Sequence, residues 1–204
     1  MIRILGNLPN KPYLACSGGM DSMVVLDFLI RGKYKPIVLN FNHRTTFGEQ
    51  AVSFLEKRCI ELGLELRVGW LKDTAHAGYS QEDYWRKCRY EWFNTFPGPI
   101  ITAHHLDDAT EWWIFSSLHG QGKLIPYENN NVFRPFLLTA KQELKSWAAR
   151  KTVSWIDDPS NSDHKYMRSI IRHKIMKHAL CVNPGLRTVI RKKLEKEFEE
   201  YHNG

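Results

Sequence analysis

A chain of 204 residues with 43% hydrophobic content has room for one sizeable α/β domain and a small appendage around a buried core. No stretch of about 18 apolar residues occurs, which argues against a membrane-spanning helix, and the four scattered cysteines, Cys16, Cys59, Cys88 and Cys181, form neither a CxxC metal site nor a disulfide framework; a cytoplasmic protein with reduced thiols is expected. Of the net charge of +7, residues 139–204 carry +6, from 14 Lys/Arg against 8 Asp/Glu, a localised basic surface that suits a polyanion partner.

In chain order, Pro12 to Cys16 reads as a short apolar strand ending in a glycine turn, and Asp21 to Ile30 follows with helical spacing at Val25, Leu26 and Leu29. A second strand over Pro36 to Asn42 leads through a polar loop to a helix with Phe54, Leu55, Cys59 and Leu62 on one stripe, which Gly63 ends. The cycle repeats: strand Leu64 to Trp70, helix Gln81 to Phe96, strand Pro99 to Ala103. His119 to Lys123 reads as a flexible loop and Val132 to Phe136 as a short edge strand; from Thr139 the pattern becomes helical, over Thr139 to Arg150, Tyr166 to Leu180 and Leu186 to Tyr201. Alternating strands and helices predict a Rossmann-like α/β fold with a doubly wound parallel sheet over residues 1–138, carrying a small helical, basic appendage over residues 139–204. Ligands of such sheets bind beyond the carboxyl ends of the strands, where both of the sharpest polar clusters fall.

The first cluster is Ser17-Gly18-Gly19-Met20-Asp21-Ser22. Two glycines between a strand and a helix let backbone N–H groups converge on one point, the helix start adds partial positive charge, and the Ser17 and Ser22 hydroxyls add donors: the makings of a phosphate cradle. Asp21 suits both a helix start and a Mg2+ ligand beside a triphosphate. No lysine follows the glycines, so this is not the Walker A loop. The hexapeptide resembles the SGGxDS signature of PP-loop pyrophosphatases, which implies cleavage of ATP between its α and β phosphates, with Ala15, Cys16 and Met20 lining the nucleotide beside Ser17, Gly18, Gly19, Asp21 and Ser22.

The second cluster, Ala103-His104-His105-Leu106-Asp107-Asp108-Ala109-Thr110-Glu111, sets two imidazoles at a strand end and three carboxylates on the next helix, where Glu111 shares a face with Asp107 and Asp108. Three acids so close repel one another and point to a bound cation or amine. Adjacent histidines on an extended segment face opposite ways, which argues against both ligating one transition metal.

HHLDDATE is similar to the HHxDDxxE signature of the tRNA(Ile)-lysidine synthase family, and further stretches agree in order: Asn42-His43-Arg44 with Phe47 to Gln50, Arg86 to Trp92, Arg134-Pro135-Phe136-Leu137, and Trp155 to Arg172. The likeness covers nearly all of residues 11–180. Asn42, Ala109 and Ser169 stand where members typically carry Asp, Gln and Asn. Full-length bacterial members continue into further tRNA-binding domains, so a short form is expected, with a homodimer or partner protein supplying the missing contacts.

The resemblance implies an ATP- and Mg2+-dependent ligase acting on a tRNA with a CAU anticodon: it adenylates the C2 oxygen of the wobble cytidine, after which the side-chain amine of lysine displaces AMP. Asp21, His104, His105, Arg168 and Arg172 would then be catalytic, Asn42, His43 and His104 would join the ATP site, and Asp107, Asp108 and Glu111 would hold the amine. Arg86, Arg89, Lys141, Lys145, Arg168 and Arg172 would contact RNA. Two alternatives stand beside it: PP-loop thiolation of a tRNA base, disfavoured because no CxxC pair is present, and a noncatalytic ATP-sensing, RNA-binding module.

Overall fold

The computed structural model describes residues 1–72, 78, 80–158 and 167–203, with the backbone alone described for Met167, Arg168 and Asn203. Its sheet has six strands in the order β3-β2-β1-β4-β6-β5. The strands are β1 (Tyr13–Ala15), β2 (Ile37–Asn42), β3 (Leu66–Trp70), β4 (Ile100–Ile101), β5 (Glu128–Asn129) and β6 (Val132–Phe133). All neighbouring pairs are parallel except β5 with β6. In register, Tyr13 lies opposite Ile37 on one side and Ile100 on the other.

Short strands with parallel neighbours are covered on both faces, hence their near-continuous apolar runs: Leu14, Val38, Ile100 and Ile101 are fully buried. Helix α1 (Met20–Arg31) follows β1 and buries Met23, Val24, Val25, Leu26 and Leu29, each large side chain worth about 1.5–3 kcal/mol of burial. Helix α2 (Thr46–Leu62) is capped by the Thr45 hydroxyl, which accepts the Gly48 N–H at 3.0 Å. Gly63 ends α2 in the left-handed conformation, as expected. Helices α3 (Gln81–Phe93) and α4 (Leu106–Leu118) complete the alternation. The predicted α/β sheet is thus the observed one, with one correction. Val132–Phe133 is not an edge strand: it pairs with β4 on one side and with β5 on the other, and the chain then tightens into a 3-10 turn over Pro135–Leu138.

Helix α5 (Lys141–Lys151) packs on α1, its Leu144 and Ala148 joining the apolar cluster of Leu14, Leu26 and Leu29. The next helical stretch runs as α6 (Met167–Ile170), a π turn (Ile171–Ile175) and α7 (Met176–Val182). Helix α8 (Leu186–Asn203) lies on α4, burying Leu186, Ile190 and Leu194 against Leu106, Ala109 and Ile114. No helix among the described residues is long and apolar enough to cross a membrane.

Candidate active site

Neighbouring strands β1 and β4 are followed by α1 and α4, and the strand order runs away from β1 in opposite directions, through β2 and β3 on one side and β4 and β6 on the other. That is a topological switch point, where loops diverge and leave a crevice at the carboxyl ends. Both polar clusters sit there.

At the first, Gly18 adopts φ +82°, a conformation that L side chains rarely tolerate, and a Cβ there would meet the Ile156 side chain at 3.3 Å. The Ile156 N–H donates to the Gly18 carbonyl at 3.0 Å, so the chain after α5 closes over the loop. Ser22 is the loop's internal brace: its hydroxyl donates to Gly19 O at 2.9 Å, accepts the Ser17 N–H at 3.2 Å and lies 3.3 Å from the Ser17 hydroxyl. Gly19, the N-cap of α1, offers no side-chain acceptor to the first turn. The amides that a capping side chain would satisfy are therefore available to an anion. Cys16 is buried, its thiol pushed up by desolvation, and its backbone N–H donates to Leu39 O at 2.8 Å, so this residue anchors the loop to β2.

Asp21 in that first turn carries two neighbours from distant sequence. Lys141 Nζ donates to Asp21 Oδ1 at 2.6 Å, and His105 Nε2 lies 3.7 Å from Oδ2. Burial opposes its ionisation, but His105 and Lys141 outweigh burial and hold the carboxyl at about 2. Lys141, expected among RNA contacts, is thus in the crevice; Lys145, one turn on, is exposed.

His105 caps α4. Its Nδ1 accepts the Asp108 N–H at 3.3 Å while Asp108 Oδ2 accepts the His105 N–H at 3.0 Å, a reciprocal box. This tautomer places the proton on Nε2, facing Asp21. Burial disfavours the imidazolium, yet Asp108 and Asp21 together raise the His105 pKa above its ordinary value; protonation trades the cap for an Nδ1–H bond to Asp108 Oδ2 at 3.2 Å. Asp108 is held below the usual range because His105, His104, the His105 N–H and Arg172 overcome its desolvation. His104 lies with its Nδ1 2.7 Å from the Thr102 hydroxyl. Among the described residues no group of three or more His, Cys, Asp or Glu that could hold a metal ion occurs.

The three carboxylates of α4 separate into two environments. Asp107 Oδ1 accepts Arg187 Nε and Nη2 at 2.8 and 2.6 Å, and Oδ2 accepts the Lys141 N–H at 2.8 Å, tying α4 to α8 and to the start of α5. Glu111 instead accepts a forked pair from Arg172, Nε at 2.8 Å and Nη2 at 2.9 Å, and Asp108 Oδ1 receives the same Nη2 at 3.2 Å. Burial pushes Glu111 up, with Arg172 offsetting only part of that effect. Arg172 belongs to the π turn, a distortion common at functional sites. The Arg168 side chain and the stretch from Pro159 to Tyr166 lie outside the described residues.

Along β2 the sequence reading placed Asn42 and His43 but missed Asn40, whose signal was a polar residue inside an apolar strand. The buried Asn40 donates to Cys16 O at 2.8 Å, and among the described residues its Oδ1 has no partner, nor do Asn42 Nδ2 and His43 Nδ1. These orphaned atoms at a strand's carboxyl end suit a polar ligand. Asn42 Oδ1 accepts the Arg44 N–H at 2.7 Å, and a Cβ at Gly48 would meet it at 2.3 Å, so the glycine admits the amide. His43 stacks on Trp85 (4.7 Å, 15°); burial and the charge of Arg89 depress it to about 4. Arg86 and Arg89 reach over Tyr90 on α3, with their guanidinium carbons 5.1 and 6.0 Å from its ring centre.

A glycine loop at the switch point of a doubly wound sheet, with an aspartate in the first helical turn, defines an α/β protein with a candidate phosphate site. Within that class, the chain belongs to the PP-loop domain family, whose model matches residues 6–179. It is similar to the tRNA(Ile)-lysidine synthase of Porphyromonas gingivalis (strain ATCC BAA-308 / W83), 28% identical over 93% of this chain and 47% of the relative. That of Staphylococcus aureus (strain COL) is 31% identical over 80% of this chain and 42% of the relative. The chain therefore spans about half the length of the curated relatives it matches. Among solved structures it resembles the NH3-dependent NAD synthetase from Campylobacter jejuni, at a TM-score of 0.50 and 13% identity over 95% of this chain and 87% of that one, a likeness of fold.

Proposed function

We propose that the chain is the adenylating and ligating part of a tRNA-modifying enzyme of the lysidine synthase type, using ATP to activate the C2 oxygen of a cytidine and joining the side-chain amine of lysine to that carbon. One observation carries the reading: the phosphate cradle and the carboxylate cluster face one crevice, joined through the line Asp21, His105, Asp108. Nucleotide activation and amine capture have to be adjacent for an activated base to pass from one to the other before water intervenes.

In the first step the α1 amides and the Ser17 hydroxyl, on a loop braced by Ser22, hold the phosphates in line while the cytidine oxygen attacks the α-phosphorus and pyrophosphate departs. Asp21, ionised and already bearing a cation in Lys141, has the chemistry of a Mg2+ ligand; the ion, when bound, offsets the negative charge of the triphosphate. Asn40, Asn42 and His43 offer unpartnered polar atoms to the nucleoside. In the second step the amine attacks C2, the bond from C2 to the adenylated oxygen breaks and AMP leaves with that oxygen. The ammonium must first lose a proton. Glu111, raised by burial, is suited to accept it, and Asp108 holds the charge beside it once the substrate cation takes over bonds that Arg172 makes here. Asp107, committed to Arg187 and the Lys141 amide, is a positioning residue. Arg86 and Arg89 on α3 and the exposed Lys145 on α5 are the RNA contacts of this reading.

The test is the cleavage position in ATP. With tRNA and lysine present, ATP labelled on the α-phosphate should yield AMP and pyrophosphate, and Asp21→Ala should abolish both. Release of ADP, or unchanged turnover in Asp21→Ala, would refute the assignment.

A further inference from the structure

The loop Ser17–Ser22 contains no lysine, yet a lysine ammonium lies at its helix: Lys141 Nζ, 120 positions away in sequence, donates to both oxygens of Asp21. We infer that Lys141 supplies in space the phosphate-contacting lysine that the loop lacks in sequence, binding the pyrophosphate portion of ATP. The inference rests on the reading of the loop as an ATP site.

Three features place the ammonium there. Lys141 is the first residue of α5, and its own N–H donates to Asp107 Oδ2 at 2.8 Å. Asp107 is held in turn by Arg187, so the backbone from which the side chain springs is fixed from two helices. Glu143 reaches back to the Ala140 N–H at 2.8 Å, closing the first turn of α5 beside this anchor. Finally, Lys141 is only partly exposed, 35% by side chain, which confines the ammonium to the crevice rather than the outer basic surface.

The chemistry follows from geometry. Asp21 stands between Lys141 on one side and His105 on the other. A Mg2+ ion needs only one carboxylate oxygen and keeps its remaining positions for water and phosphate. Lys141 can then retain the other oxygen and turn its remaining N–H groups to a phosphate, since an ammonium has three donors. Its long stem lets the charge follow the departing pyrophosphate, which a backbone amide cannot do.

The experiment compares wild type, Lys141→Met and Lys141→Arg for binding of ATP, inorganic pyrophosphate and AMP by equilibrium dialysis with Mg2+, and for binding of tRNA. Met preserves the stem, and the backbone bond to Asp107 survives either substitution; circular dichroism checks the fold. Loss of one charge-assisted phosphate contact should weaken ATP and pyrophosphate binding by about 10- to 100-fold while leaving AMP within about twofold, with partial recovery in Lys141→Arg. Equal ATP and AMP losses, or a loss of tRNA affinity alone, would overturn the inference and leave Lys141 a structural or RNA-contacting residue. Failure of wild type to bind ATP would instead sink the underlying reading of the loop.

Discussion

Asp107 and Glu111 are chemically similar and one helical turn apart, yet their surroundings assign them different work, and Arg187→Met tests that division. Asp107 is 13% exposed by side chain and Arg187 38%. Removing one member of a fully buried ion pair costs about 3–5 kcal/mol, whereas exposed pairs are worth about 0–1 kcal/mol; a half-covered pair with two short bonds falls between, at about 2 kcal/mol. For a chain of this size that lowers the melting temperature by about 4–8 °C. The penalty arises mainly from the stranded Asp107 charge, so Asp107→Asn in the Arg187→Met background should regain part of the loss, with a coupling energy of about 1–2 kcal/mol in a double-mutant cycle. Urea denaturation of the four proteins supplies the numbers. The KM for lysine should stay within about twofold in Arg187→Met, because Asp108 and Glu111 keep their places. A coupling below about 0.5 kcal/mol, or a large rise in the KM for lysine without loss of stability, would refute the division of the carboxylates.

Other consequences are open to direct measurement. Gly18→Ala combines a left-handed backbone with a contact at 3.3 Å, a loss of about 1–3 kcal/mol in stability, and by misdirecting the loop amides it should weaken ATP binding by more than it weakens folding, as calorimetry of both would reveal. His43 is depressed in the fold to about 4 from an ordinary 6.5, so the unfolded chain takes up its proton first: stability should be full above pH 6.5, decline as pH falls and level off below about 4. His43→Phe should flatten that part of the urea midpoint profile; an unchanged slope would show that the ring titrates normally. Asp21, at about 2 against 3.8, contributes stability above pH 3.8 that disappears as pH falls to about 2, and Asp21→Asn should remove that acid limb. Arg172→Met removes the guanidinium that now lowers Glu111, which should move its pKa further up and carry the acid limb of kcat against pH upward with it, because the base works ionised; an unmoved profile would separate Glu111 from proton transfer.

Much of this architecture is legible in the chain because the signals are local. A strand, two glycines and an apolar helix at Ser17, and a strand followed by a capped acidic helix at His104, each follow from spacing over a dozen residues, and their adjacency follows from the rule that ligands gather at strand ends. What escaped reading depends on partners far apart in sequence. Lys141 reads as one more cation of a basic segment until the fold brings it to Asp21. Arg187 likewise looks like part of a solvated helix face, and only its bond to Asp107 takes that carboxylate out of the acidic cluster. Strand β5, two polar residues long, gives no alternating pattern, and so Val132–Phe133 looked like an edge. The π turn holding Arg172 has no composition of its own: Ile171 at its start and Met176 just past it are both buried, and nothing in their residue types marks the wider turn between them.

The most direct measurement is incorporation of labelled lysine into tRNA by the purified chain with ATP and Mg2+. Stoichiometric formation of AMP, pyrophosphate and lysine-bearing tRNA, lost together in Asp21→Ala and in Glu111→Gln, is the predicted result. Labelled tRNA formed equally well by Asp21→Ala, or AMP release with no lysine transferred to any tRNA offered, would contradict the coupling of phosphate cradle and carboxylate cluster in one active site.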